Sequence, residues 1–463
     1  MALDLDWAPA WRIASAVKSG EASALAAVEA ALARIERLNP KLNAFTAVVA
    51  ERARKTAKAI DALSGGNAPG PLAGVPFAVK NLFDVKGLAT VAGSKINRDN
   101  APAVKDSPLI ARLEAAGAIL VGALNMGEYA YDFTGENVHY GPARNPHDLA
   151  RMTGGSSSGS ASAVGGGLVP LSLGSDTNGS IRVPASHCGI FGLKPTYGRL
   201  TRARSFPFVT SLDHVGPFAR SVQDLALSYD VMQGRDPEDP VCADRDAEPV
   251  TPSVERGADG LRIAIAGGYF QKGAFPEAKE ALARVAKALN VKREIEIPQA
   301  ERARSAAYII TASEGAALHL ERLRTRARDF DPAVRDRLIA GAMMPASLVV
   351  KAQKFRRWYR EQVLKLFEGV DAILAPAAPC TAPKIGQTTV VIDGVEMPIR
   401  PNLGLYTQPI SFIGLPVAAV PIPLAPLPIG VQIIAAPWRE DVALRIAHTL
   451  EEMGVASAPR SAL

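Results

Sequence analysis

The chain predicts an α/β fold built around a large, mostly buried β-sheet. Strand-like apolar runs alternate with helical periodicity from one end of the sequence to the other. Val75–Val79 is apolar throughout rather than alternating, as a strand covered on both faces would be. The 463 residues, 48% hydrophobic and 21% charged, have the balance of a globular protein with a sizeable core.

Residues 1–65 read as an N-terminal helical segment: Trp11–Lys18, Ala22–Leu38 and Ala50–Leu63 each carry apolar positions three and four apart. Ser64–Pro71 reads as a loop, after which an α/β domain is expected over 66–463. Val75–Val79 delivers Lys80 to a strand end, and a short helix within Leu109–Val121 feeds a further strand. Residues 150–200 are crowded with Gly and Ser, yet the apolar Leu168–Leu173 interrupts them, unlike a flexible linker. Gly234–Gly260, acidic and proline-rich, reads as an exposed connection, and Leu261–Ala266 as a strand. Helical patterns from Ala300 to Phe367 suggest a helical insertion over about 268–368. Strands at Asp371–Ala375, Val417–Ile422 and Gly430–Ile434 and a closing helix, Asp441–Met453, complete the pattern.

The net charge is +6, but the basic stretches Arg322–Arg328 and Lys351–Arg360 are interleaved with apolar residues. They fit solvated helix faces better than a nucleic-acid surface. No run approaches the roughly 18 apolar residues of a membrane span. The first residues lack the basic and apolar regions of a signal peptide. Cys188, Cys242 and Cys380 are widely spaced with no CxxC pair, which argues against a zinc site or disulfide framework. A cytoplasmic protein without metal or cofactor is expected.

The chemistry concentrates in Gly154-Gly155-Ser156-Ser157-Ser158-Gly159-Ser160 and, 24 residues beyond Ser156, in Ser175-Asp176-Thr177-Asn178-Gly179-Ser180-Ile181-Arg182. A Gly-Ser loop alone would be a tight turn or an anion nest, and the GK[ST] ending of a phosphate loop is missing. A second serine-bearing glycine turn and a lysine at a strand end change the reading. A serine hydroxyl is a weak nucleophile and needs a base within reach. Of six histidines only His187 lies near Ser180 in sequence. A lysine desolvated by an apolar strand has a lowered pKa and can act as a neutral base. Asp176 and Arg182 are expected to brace the loop as an ion pair, and His187 and Cys188 to pack in the core.

Gly154–Pro184, Lys194–Arg199, Gly74–Asn81, Gly141–Pro146 and Leu427–Gln432 together resemble the amidase signature family, and the likeness spans most of the chain. It implies that family's fold, a large mixed sheet covered by helices on both faces. It also implies Ser180 as nucleophile, Ser156 in a cis peptide as relay, Lys80 as base, and the backbone N–H groups of Thr177, Asn178, Gly179 and Ser180 as oxyanion hole. Asn178 stands where most relatives have glycine; asparagine tolerates left-handed angles, so the turn should survive with a narrower mouth.

Within the family, Glu128–Asn137 is most similar to the branch that hydrolyses 1-carboxybiuret in s-triazine and cyanuric acid breakdown. This implies a small amide or urea substrate, Tyr131 and Asp132 lining the acyl pocket, and a homodimer, a small helical partner subunit or both. Val334–Gly341 resembles the segment by which the glutaminase component of an aminoacyl-tRNA amidotransferase holds glutamine's carboxylate, so Arg337 is expected to read an anionic group. That enzyme's glutamine-binding aspartate would fall near Gly404 and is missing. The alternatives are that glutaminase component itself, or a non-catalytic scaffold on the same fold.

Overall fold

The computed structural model describes residues 3–63 and 70–463, so most of the 64–71 loop lies outside the described residues. Among the described residues, eleven strands form the central sheet: β1 (Phe45–Val48), β2 (Pro76–Lys80), β3 (Ile119–Leu124), β4 (Leu171–Asp176), β5 (Phe191–Lys194), β6 (His214–Ala219), β7 (Ile263–Ala266), β8 (Glu294–Ile295), β9 (Ala372–Pro376), β10 (Val417–Ile422) and β11 (Ile429–Ala435). Their order across the sheet is β1-β3-β2-β4-β6-β5-β10-β11-β9-β7-β8. The pairing is mixed: β2 runs parallel to β3 and β4, whereas β6, β5, β10 and β11 meet their neighbours antiparallel. Every residue of β2, β3, β4 and β10 is buried, and β3 and β10 and all of β2 before Lys80 are accordingly apolar.

The expected strands and helices lie within a few residues of their sequence positions, with three informative differences. The helical insertion expected over about 268–368 is not wholly helical, since β8 within it pairs parallel with β7. Residues 1–65 are not wholly helical, because β1 joins the sheet edge antiparallel to β3. Asn43, at φ 51°, ends the helix Ala24–Leu42 in the left-handed region. The short run that follows, with Phe45, Thr46 and Val48, suits an extended edge. The long helical stretch is broken into Ala300–Arg326, Pro332–Ala342 and Ala346–Leu366. Pro332 and Pro345 disfavour helix in the residue before each, and the Asp331 carboxylate caps the second piece by accepting from Ala333 N–H at 2.9 Å.

The Gly/Ser-rich region is core, not linker: every residue from Met152 to Thr196 is buried. Small side chains let the helix Ser158–Gly165 lie almost against backbone. A Cβ on Gly159 would come 2.3 Å from the Ala44 carbonyl oxygen. Gly234–Gly260 is mostly irregular, with one helical turn at Thr251–Val254. None of the helices is long and apolar enough to cross a membrane, among the described residues.

Candidate active site

Parallel neighbours β2 and β4 end at the same edge of the sheet, β2 with Lys80 and β4 with Asp176. Ser156 and Ser157 immediately precede the helix Ser158–Gly165, and Ser180 sits in the turn between β4 and the helix Arg182–Cys188. Three segments distant in sequence therefore meet beyond the carboxyl ends of two strands, where open α/β sheets place their ligands.

Lys80 is fully buried and its Nζ lies 2.7 Å from Ser156 Oγ, 2.8 Å from Ser175 Oγ and 3.1 Å from Ser157 Oγ. No carboxylate pairs with it among the described residues. Burial lowers its pKa to about 7, although Asp213, Asp176 and Asp132 pull in the opposite direction from a distance. A neutral lysine has two N–H donors and one lone pair, so one of the three hydroxyls must donate to it. The Ser157 proton goes to the Ser175 carbonyl at 3.0 Å, so the single donor to Nζ is either Ser156 or Ser175. Ser156 follows a cis Gly155–Ser156 peptide, as the resemblance implies.

Ser180 is buried and lines a tight pocket of about 20 Å³ with Tyr131, Asp132, Asn178, Arg337 and Gln408. The backbone N–H groups of Thr177, Asn178, Gly179 and Ser180 donate to no protein carbonyl among the described residues. The turn differs from expectation in one respect. Its positive φ, 144°, falls on Gly179 and not on Asn178. A Cβ on Gly179 would lie 2.1 Å from Thr407 Oγ1, so glycine is needed there, while Asn178 needs no left-handed angle. Asn178 turns its side chain toward the helix Ala300–Arg326, its Nδ2 donating to Thr311 Oγ1 at 3.0 Å.

Asp176 and Arg182 form the expected brace, wholly buried, with Nε–Oδ2 at 3.0 Å and Nη2–Oδ1 at 3.1 Å. Gln432 Oε1 accepts from Arg182 Nη1 at 2.7 Å, Ser411 Oγ accepts from Nη2, and Ile181 N–H donates to Asp176 at 3.2 Å. Burial alone would raise the Asp176 pKa, but the Arg182 charge and hydrogen bonds hold it below the ordinary carboxylate range. Asp176→Asn would leave a buried guanidinium without its counter-charge. Urea unfolding should show a loss of about 3–5 kcal/mol, and the apolar pair Asp176→Leu with Arg182→Met should lose less. Equal losses would mean that the charge pairing contributes little. His187, pushed down to about 4 by burial, contacts the Cys380 carbonyl at 3.2 Å, and the buried Cys188 thiol is raised; both pack in the core.

Tyr131 and Asp132 reach the pocket, but the Asp132 carboxylate is already occupied. It accepts from Thr134 N–H at 3.0 Å, Thr134 Oγ1 at 2.9 Å and Gly135 N–H at 2.6 Å, and it pairs with Arg400. Asp132 thus holds its loop. Arg337 stacks 3.8 Å over the Tyr131 ring, its Nε donating to the Ala333 carbonyl at 2.7 Å and its Nη2 to the Tyr131 carbonyl. Neither neighbouring acid claims it, since Asp331 caps its helix and Asp336 pairs with Arg335.

Ser157, Ser175, Arg400 and Gln408 went unrecognised as site residues. The two serines lie inside motifs already quoted, where the number of hydrogen-bond partners a buried lysine needs was a usable signal. Arg400 and Gln408 meet partners 268 and 104 residues away, and no local pattern marks them.

The Amidase family profile matches residues 26–444. The chain is 51% identical over 448 residues to AtzE, a 1-carboxybiuret hydrolase subunit of Pseudomonas sp. (strain ADP), covering 96% of this chain and 98% of that one. It is 37% identical over 470 residues to one of the subunits of the glutamyl-tRNA(Gln) amidotransferase of Geobacter metallireducens (strain ATCC 53774 / DSM 7210 / GS-15), covering 94% and 95%. A solved structure described as an unexpected vestigial protein complex that reveals the evolutionary origins of an s-triazine catabolic enzyme superposes with a TM-score of 0.96. It is 50% identical and covers 98% of this chain and 100% of that one. With the profile and these relatives spanning nearly its whole length, the chain belongs to the amidase signature family.

Proposed function

We propose that the chain hydrolyses a C–N bond of a small carboxylated urea such as 1-carboxybiuret, through an acyl-enzyme on Ser180. The observation that carries the relay is the buried Lys80 amine, near-neutral and surrounded by hydroxyls instead of carboxylates. Ser180 Oγ attacks the carbonyl carbon and gives its proton to Ser156, which passes its own to Lys80 Nζ. The N–H groups of Thr177 to Ser180 receive the developing oxyanion. On collapse the C–N bond breaks, and the proton returns through Ser156 to the leaving nitrogen, which departs as ammonia or amine. Water then attacks the acyl carbon through the same relay, releasing the acid and restoring Ser180.

The 51% identity to a 1-carboxybiuret hydrolase subunit supports this substrate class, as does Arg337, which has no carboxylate partner among the described residues. The amidotransferase alternative is disfavoured at Gly404. A Cβ there would lie 2.4 Å from the Phe133 ring, so an aspartate at that position would have to displace a pocket wall. A small helical partner subunit is part of the proposal, since the 50% identical neighbour is described as a protein complex; a homodimer is the other arrangement. A cytoplasmic setting suits the three free cysteines.

A fluorophosphonate should label the wild type at Ser180, and Ser180→Ala should remove the label. An adduct mapped to Ser156 would exchange the two roles, and no labelling at all would favour the scaffold reading.

A further inference from the structure

The pocket in front of Ser180 contains two amide side chains that the relay does not use. Gln408 opens the short helix Gln408–Ser411, is fully buried and lines the pocket together with Asn178 and Arg337. Its Oε1 accepts from Arg304 Nε at 3.0 Å. A guanidinium has only donors, so this contact fixes the orientation of the carboxamide and leaves Nε2 at the free end. Arg304 is itself tied down by the Pro401 carbonyl at 2.9 Å and Asn402 Oδ1 at 2.8 Å. The Nε2 group finds no acceptor among the described residues. Asn178 supplies the complement: its Nδ2 is held by Thr311, and its buried Oδ1 has no donor among the described residues. Buried polar atoms are normally paired, and an unpaired donor and an unpaired acceptor share the pocket of the nucleophile.

We infer that Gln408 and Asn178 read an internal acylurea group of the substrate, Gln408 Nε2 donating to its carbonyl oxygen and Asn178 Oδ1 accepting from its N–H. This rests on the carboxylated-urea reading and deepens it. With the carboxylate at Arg337 and the scissile carbonyl at Ser180, the group between them must offer one acceptor and one donor. A carboxylated acylurea offers both, whereas an aliphatic dicarboxylic monoamide offers neither and would leave both side chains buried and unpaired. A site built to pair such groups discriminates against the analogue that lacks them.

Two stable probes of equal chain length separate these cases: malonurate, ⁻OOC–CH₂–CO–NH–CO–NH₂, and glutaramate, ⁻OOC–CH₂–CH₂–CH₂–CO–NH₂. The readout is the ratio of their kcat/KM values, compared between wild type and variants, so intrinsic reactivity cancels. Gln408→Leu should lower the malonurate-to-glutaramate ratio at least roughly tenfold, beyond any loss the two probes share. Gln408→Glu keeps an oxygen for Arg304 and replaces only the free donor, so it tests the same point with the fold preserved; its ratio should fall at least as far. Arg337→Ala, by contrast, should lower both probes by similar factors. A ratio unmoved in both Gln408 variants while Arg337→Ala weakens both probes would overturn the Gln408 assignment alone. A wild type that hydrolyses neither probe would overturn the carboxylated-urea reading and this inference with it.

Discussion

Lys80→Arg should be almost as inactive as Lys80→Ala, each losing about 10²–10⁴-fold in turnover, the range of a general base. Arginine keeps the positive charge but cannot give up its proton near neutrality. If Lys80 served only as a fixed charge, the arginine variant would keep much of the activity. The pH profile makes the same point with a defined sign. Protonated Lys80 cannot accept the Ser156 proton, so activity is present above its pKa and falls as pH drops through it. With that pKa near 7, kcat/KM should fall about tenfold per unit below neutrality and level off above. Geometry singles out this lysine. Lys194 is equally buried and also lowered to about 7, yet it faces the Leu415 and Pro195 carbonyls, which have no proton to give. An arginine variant with more than about a tenth of wild-type turnover would reduce Lys80 to electrostatic support.

The parts of the site that the sequence made legible are those whose chemistry is written within short segments. Lys80 ends an apolar strand, and Ser156 and Ser180 sit in glycine-rich turns, so their places follow from local pattern while the resemblance implies their roles. The ion pair of Asp176 and Arg182 was accessible for the same reason, being only six residues apart. Elsewhere the decisive contact lies outside the local window. β1 exists because the β3 edge offers it partners, a contact no helical-period count over 1–65 contains. Asp132 could be placed at the pocket from sequence. Its full set of partners could not, because Arg400 arrives from a distant segment. The Asn178 expectation put the backbone freedom one residue early, because the reason for it, the close approach of Thr407 to Gly179, is a tertiary contact.

Arg337→Ala should lower kcat/KM for carboxylated substrates by orders of magnitude while sparing neutral amides. The side chain lines the pocket with Ser180, stacks on Tyr131 and donates only to two backbone carbonyls, so its charge has no counter-ion among the described residues. Burial works against that charge, although Tyr131 and Asp132 partly offset it. A guanidinium in this position gains most from an incoming carboxylate, whose two oxygens match its planar fork. Removing such a contact costs roughly 2–5 kcal/mol of transition-state stabilisation, well over tenfold in rate at the lower limit. Neutral amides never make the contact and should lose only what the Tyr131 stacking contributes to pocket shape. Equal losses on charged and neutral substrates would assign Arg337 to holding Tyr131 in place. A loss confined to carboxylates, with Lys80 and Ser180 chemistry intact on neutral amides, would separate recognition from the relay.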